Sequence, residues 1–222
     1  MTESDIMIPK MRRLDKKQRK IKIPLLNTLL VLMAILLIIG STFVNLHIRH
    51  YFIPGDAFSG GGFETNNFIY NFYIIPQIPV LMFICAILGR KMASSAVILY
   101  ILLGIIYAPI FALGGGIEYI KEYSFGYILA YVPAVTVVGH LLKNKYSFKN
   151  MILASILGVL IIHLSGIIYM TLVALIKNDG LNFIKGWIYA QSGLKVLYDL
   201  IISFLAILVG KYIRPLIVFI TG

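Results

Sequence analysis

Six apolar runs of membrane-spanning or nearly membrane-spanning length divide this chain, and most of its charge lies between them. A run of about 20 apolar residues can cross a bilayer as a helix, because a helix satisfies its own backbone polar groups where no water is present. The runs cover roughly 25–46, 75–89, 93–110, 124–142, 151–176 and 192–213. Only 13% of the 222 residues are charged and 59% are hydrophobic, a balance that a soluble globule does not show. The sequence therefore predicts an all-α membrane protein with six transmembrane helices.

Charge placement orients the bundle. With the N-terminus inside, fifteen of the 20 Lys and Arg fall on inner segments: eight in the leader 1–23, then Arg90, Lys91, Lys143, Lys145, Lys149, Lys211 and Arg214. Arg49, Lys121, Lys177, Lys185 and Lys195 remain for the outer side. Cytoplasmic loops are enriched in Lys and Arg, so both termini are expected in the cytoplasm. The net charge of +11 is then a topology signal, and no nucleic-acid partner is expected. The run 25–46 is too long for a cleaved signal peptide and reads as a retained anchor, leaving a six-helix domain over 24–222. Cys85 is the one cysteine, so an intramolecular disulfide is excluded, and it reads as a buried packing residue. Pro133 predicts a kink in the fourth span, and Pro215 a stop after the sixth. The segments 49–73 and 177–191 read as outer loops, with turn signals at Pro54-Gly55-Asp56 and Ser59–Gly62 in the first.

Polar residues inside or beside the runs are the candidates for function. Asp199 lies about two turns into the last span, where a carboxylate is costly unless it faces a cavity or a partner. It either accepts from a ligand or pairs with Lys195, one turn earlier on the same face. Gln77, at the outer end of the second span, can donate and accept at once, either to an amide-like ligand or to a neighbouring helix. The Gly-rich hairpin after the third span carries Glu118, Lys121 and Glu122, which either select a charged solute or are solvated. Ser124 and Gly126 offer a hydroxyl and a close backbone approach, and Tyr127 can line a pocket. His163, in mid-span, suggests an interhelical hydrogen bond before a proton relay. His47 and His50 alone are a weak metal signal, and no metal or cofactor is expected. Metalloprotease, serine-hydrolase and phosphate-loop motifs are lacking, so no enzyme activity is expected. Uphill transport would draw on a partner or an ion gradient.

The stretch Tyr73–Tyr131 resembles the BioY family, the substrate-binding S components of energy-coupling factor (ECF) biotin transporters. The resemblance rests on Gln77, Leu88-Gly89, Tyr100, Leu103-Gly104, Pro109, Phe111, Gly114–Gly116 and Gly126-Tyr127, with His163-x-x-Gly166 and Asp199 further on. It implies a six-helix ECF S-component-like bundle in a bacterial plasma membrane. It further implies an outward biotin pocket roofed by the loops after the first and third helices. The implied partners are an EcfT-like coupling protein and two ABC-type ATPases, with biotin as ligand rather than cofactor. Ligand binding by Asp199, Ser124, Gly126 and Tyr127 is implied as well. The chain departs from the family at Phe125, where the family has Gly, and at Ile202, where it has Lys; Lys195 or Lys121 is left to meet a ligand carboxylate. An S component for another small ligand, or a membrane scaffold without transport, is the alternative.

Overall fold

The computed structural model describes residues 25–51, 69–143 and 146–221. The basic leader, the two turns expected at 54–62 and Lys145 lie outside the described residues.

Helix α1 (Leu25–Thr42) buries one stripe, Ala34, Ile35, Ile38, Ser41 and Thr42, and exposes leucines elsewhere. An apolar exposed face is what a lipid-facing helix requires. The helix stops at Thr42, short of the expected 46, because the chain turns there into an antiparallel ribbon of β1 (Leu46–Tyr51) and β2 (Ile69–Ile74). The fold is thus not purely helical, and part of the expected outer loop is strand. The β2 segment, read as an interfacial aromatic belt, is rich in β-formers that pair in register from Leu46↔Ile74 to Tyr51↔Ile69.

Helix α2 (Gln77–Ile106) is two limbs joined at Gly89, whose φ of 74° and ψ of 174° are non-helical. The amide of Gln77 lies 2.9 Å from the Tyr100 hydroxyl. In one straight helix those residues would stand about 34 Å apart, so the chain must double back at Gly89. The limbs correspond to the expected second and third runs. Positive φ is cheap only for glycine, which lets the reversal occur with no intervening loop. Two groups staple this end: Tyr146 donates to the Ala86 carbonyl at 2.6 Å, and Arg214 donates to the Tyr146 hydroxyl.

After α2 the chain makes a tight hairpin. Phe111 and Gly114 bond each other through their backbones, and the Gly116 N–H donates to the Gly104 carbonyl at 2.7 Å. Phe111 folds back onto Gly104 so closely that a Cβ there would lie 2.1 Å from the ring. A 3-10 turn (Ile117–Lys121) leads into α3 (Phe125–Leu129) and α4 (Tyr131–Leu141). These two replace the single fourth span, with the break at Ala130. Pro133 explains it: proline has no N–H to return to the Leu129 carbonyl, and its ring crowds that turn.

Helix α5 (Phe148–Ile176) is capped by Ser147, whose hydroxyl accepts from the Asn150 N–H at 3.2 Å. The expected polar loop 177–191 is instead largely helix α6 (Leu181–Ser192), with Ile184 buried and Trp187 and Ile188 packed beside it. Helix α7 (Lys195–Thr221) runs through Pro215 rather than stopping there. Proline removes one backbone bond there without ending the helix. Among the described residues, four helical segments, α1, α2, α5 and α6–α7, are long and apolar enough to cross a membrane, and Phe125–Leu141 is a shorter apolar segment. The core lies where α2 meets α1, α4 and α7, around Leu81, Met82, Ile84, Val97, Val138 and Ile207, with Cys85 fully buried among them.

Candidate functional site

A cavity of about 130 Å3 opens among α2, the hairpin, α3, α4, α5 and the start of α7. Its polar wall is Gln77, Tyr119, Ser124, Tyr127, Tyr131, His163, Gln191, Lys195 and Asp199. Ile74, Ile75, Ile78, Ala112 and Ile128 supply the apolar wall. One charged carboxylate, one ammonium and several neutral donors in an apolar setting suit binding of a small polar solute. The volume is below the ~300–1,000 Å3 usual for small-molecule sites, so a ligand of that class enters only if wall side chains move.

Asp199 is the most informative group. It is 4% exposed, and its Oδ2 lies 3.1 Å from His163 Nε2. Its Oδ1 is buried with no hydrogen-bond partner. A buried carboxylate oxygen left open costs free energy that an incoming N–H would recover. Lys195 lines the same cavity, and its ammonium donates to Gln191 Oε1 at 3.1 Å, with two protons to spare. The Asp199–Lys195 alternative of the sequence is therefore not a direct ion pair: the carboxylate meets His163 and the ammonium meets Gln191.

Gln77 lines the cavity, but its amide is engaged by the bundle. Its Nε2 donates to Thr42 Oγ1 at 2.6 Å and to the Tyr100 hydroxyl at 2.9 Å, and its Oε1 accepts from the Tyr131 hydroxyl at 2.6 Å. Ser124 lies at the rim, 3.1 Å from the Tyr119 hydroxyl. Burial holds the Tyr119 phenol above its ordinary range, so it remains a neutral donor. The Tyr127 hydroxyl sits 2.9 Å from Ser192 Oγ, which in turn is 2.9 Å from His163 Nδ1. Gly126 turns away from the cavity, toward α5: a Cβ there would come within 2.1 Å of the Tyr169 Cβ.

The charged candidates of the hairpin, Glu118, Lys121 and Glu122, stay outside as well. Glu118 is 76% exposed and bonds Lys121 at 2.6 Å on the outer face of the hairpin, so neither reaches the cavity wall. Phe125 does not narrow the cavity either. It is buried in an aromatic cluster with Phe111, Tyr119 and Tyr169. His47 stacks on Tyr73 at 5.0 Å, and no cluster of three metal-ligating side chains occurs among the described residues. Sequence reasoning missed Tyr119, Tyr131, Gln191 and Ser192. Helical spacing could have found one of them, since Tyr131 is one turn beyond Tyr127 in the expected fourth span.

A match to the BioY family model extends over residues 16–218, nearly the whole chain. The chain belongs to the BioY family. Among curated members, the probable biotin transporter BioY of Lysinibacillus sphaericus is 33% identical over 103 residues, 46% of this chain and 51% of that protein. The biotin transporter BioY of Thermotoga maritima is 32% identical over 82 residues, 36% of this chain and 48% of that one. The chain thus matches about half the length of these two BioY relatives. The fold agrees with a crystal structure at 2.1 Å of the S component for biotin from an ECF-type ABC transporter. That match has a TM-score of 0.58 at 21% identity, covering 86% of this chain and 90% of the other.

Proposed function

We propose that this chain is the substrate-binding membrane component of a vitamin uptake transporter and that biotin is its ligand. The observation that carries the reading is the open Oδ1 of Asp199 at the cavity wall, an acceptor without a donor. A cyclic urea offers N–H groups of the right kind, and Lys195 stands on the same wall for a carboxylate. The relatives described as biotin transporters support the same ligand.

The membrane arrangement follows from charge and fold together. Six crossings with both termini in the cytoplasm of a bacterial cell agree with the doubled-back α2, the Phe125–Leu141 segment and the basic residues at Arg90-Lys91 and Arg214. The cavity then faces outward, and the hairpin at 114–122 lies over it. The chain carries no nucleotide-binding loop of its own, so an EcfT-like protein and ABC-type ATPases supply the free energy. Catalysis is not part of this role.

The test is equilibrium binding of labelled biotin to the purified chain, with Asp199→Ala beside it. Loss of the acceptor is expected to weaken binding at least tenfold, the scale of a hydrogen bond to a charged group. Absent binding, or equal binding by the variant, refutes the reading. A second reading, the same fold serving another small ligand, is favoured by Ile202 standing where the family has Lys. It predicts that a panel of other vitamins competes better than biotin.

A further inference from the structure

Helix α3 is five residues long, and a helix of that size does not hold itself. Its place is set by α5, through two tyrosines and two glycines that fit each other reciprocally. Tyr127 of α3 lies on Gly166 of α5, and Tyr169 of α5 lies on Gly126 of α3. A Cβ at Gly166 would stand 2.4 Å from the Tyr127 Cδ1 and 2.5 Å from its Cγ and Cε1. Non-bonded carbons rest about 3.5–4.0 Å apart, so only glycine lets the ring lie this close to α5. The two contacts differ in one respect: Tyr127 forms part of the cavity wall and Tyr169 does not. The far end of Tyr127 is held as well, with its hydroxyl 2.9 Å from Ser192 Oγ. The Tyr127 ring thus has the α5 backbone behind it and the cavity in front of it.

We infer that Gly166 is a positioning residue for the solute site: by seating the Tyr127 ring against α5, it sets the width of the cavity. The inference rests on the cavity being the site where solute binds. A methyl group at 166 pushes the ring about 1 Å off α5 to restore ordinary contact, and the open direction is the cavity. That cavity holds only about 130 Å3, so the ring then takes room that a solute needs. The cost falls unevenly on the free and the loaded protein. In the free protein the ring moves into empty space and strains only its bond to Ser192. In the loaded protein the ring and the solute compete for the same space. A substitution at 166 therefore weakens binding more than it weakens the fold. Gly158, about two turns earlier on α5, is the opposite case. A Cβ there would lie 2.8 Å from Met82 Sδ and Val138 Cγ2, on side chains that are fully buried and do not line the cavity. Overpacking at Gly158 weakens the fold and leaves binding alone.

The experiment compares Gly166→Ala with Gly158→Ala in the full chain, by biotin titration and by reversible unfolding in micelles. Gly166→Ala is expected to weaken biotin binding at least about tenfold with a small shift in unfolding, and Gly158→Ala to lower stability with affinity changed less than about twofold. Tyr127→Ala removes all three contacting ring atoms. In that background Gly166→Ala is expected to change affinity less than about twofold, because no ring remains to be displaced. Binding by Gly166→Ala equal to that of the unmodified chain, or an equal loss with and without the ring, overturns the inference. Should Gly166→Ala fail to fold, recovery of the fold in the Tyr127→Ala background upholds the seat, and failure in both backgrounds overturns it. A second measurement needs no ligand. With ring-labelled tyrosine, the Tyr127 resonance is assigned by its loss in Tyr127→Phe. It is expected to move in Gly166→Ala and to stay in place in Gly158→Ala; an unmoved resonance in Gly166→Ala overturns the inference. This resonance decides where Tyr127→Ala binds too weakly to titrate. A moved resonance in a chain that binds no biotin refutes the biotin assignment and leaves the seat standing.

Discussion

Replacing Gln77 by alanine separates a structural amide from a ligand-reading one. The side chain is 8% exposed and makes three hydrogen bonds, to Thr42 at 2.6 Å, to Tyr100 at 2.9 Å and from Tyr131 at 2.6 Å. Side-chain hydrogen bonds between membrane helices average about 0.6 kcal/mol, which gives about 2 kcal/mol for three. The partners do not lose equally. Thr42 keeps its bond to the Ile38 carbonyl at 2.9 Å and its 3.4 Å contact with Tyr100. Tyr131 is 4% exposed and loses its acceptor. An unsatisfied buried hydroxyl adds about 1 kcal/mol, so Gln77→Ala is expected to cost about 3 kcal/mol. The assay is reversible unfolding in mixed micelles, followed by circular dichroism. Tyr131→Phe and the double variant complete a cycle, whose coupling is expected between about 0.6 and 1.7 kcal/mol. Unfolding within about 0.5 kcal/mol of the unmodified chain, together with lost ligand binding, would refute the argument: the amide would then be spending its bonds on solute.

Three further changes probe the hairpin. Gly104→Ala places a Cβ 2.1 Å from the Phe111 ring, and overpacking of this kind should cost about 1–3 kcal/mol, recovered in part by adding Phe111→Leu; thermal unfolding reads both. The Tyr123 hydroxyl donates to Asp179 at 2.7 Å, which holds the phenol above its ordinary range and ties the hairpin to the α5–α6 connection. Tyr123→Phe should speed hydrogen exchange at 117–123 with little effect on α5, and unchanged exchange would show that the hairpin is held elsewhere. Glu118→Gln removes an exposed pair and should change stability by less than about 0.5 kcal/mol, with ligand affinity unaltered.

The long apolar runs and the basic residues between them made much of this fold legible. Arg90 and Lys91 marked the boundary between the second and third runs, and Pro133 marked a kink in the fourth. What escaped was structure whose local signal is ambiguous. Residues 69–74 carry so many aromatics that they read as an interfacial belt, yet the same residues favour strands once a partner is present. Leu181, Ile184 and Ile188 lie at helical spacing, but Asn178-Asp179-Gly180 and Lys185 made the segment look like loop. Asp199 and Lys195 stood out as charges in apolar surroundings, and the cavity does contain both. Ser192 and Tyr131 did not stand out, because a lone hydroxyl gains its meaning only from the atoms that helices bring to it.

The first limb of α2, residues 77–88, is about 18 Å long, against about 30 Å of hydrocarbon. In the orientation proposed above, with the basic turn at Arg90-Lys91 at the inner boundary, its outer end would stop some 12 Å inside the opposite boundary. Gln77 marks that end, and it forms part of the cavity wall. A solute resting there has already covered close to half of the distance across the barrier. In that orientation, the longer inner part of the path, about 18 Å, is what then requires the walls to rearrange.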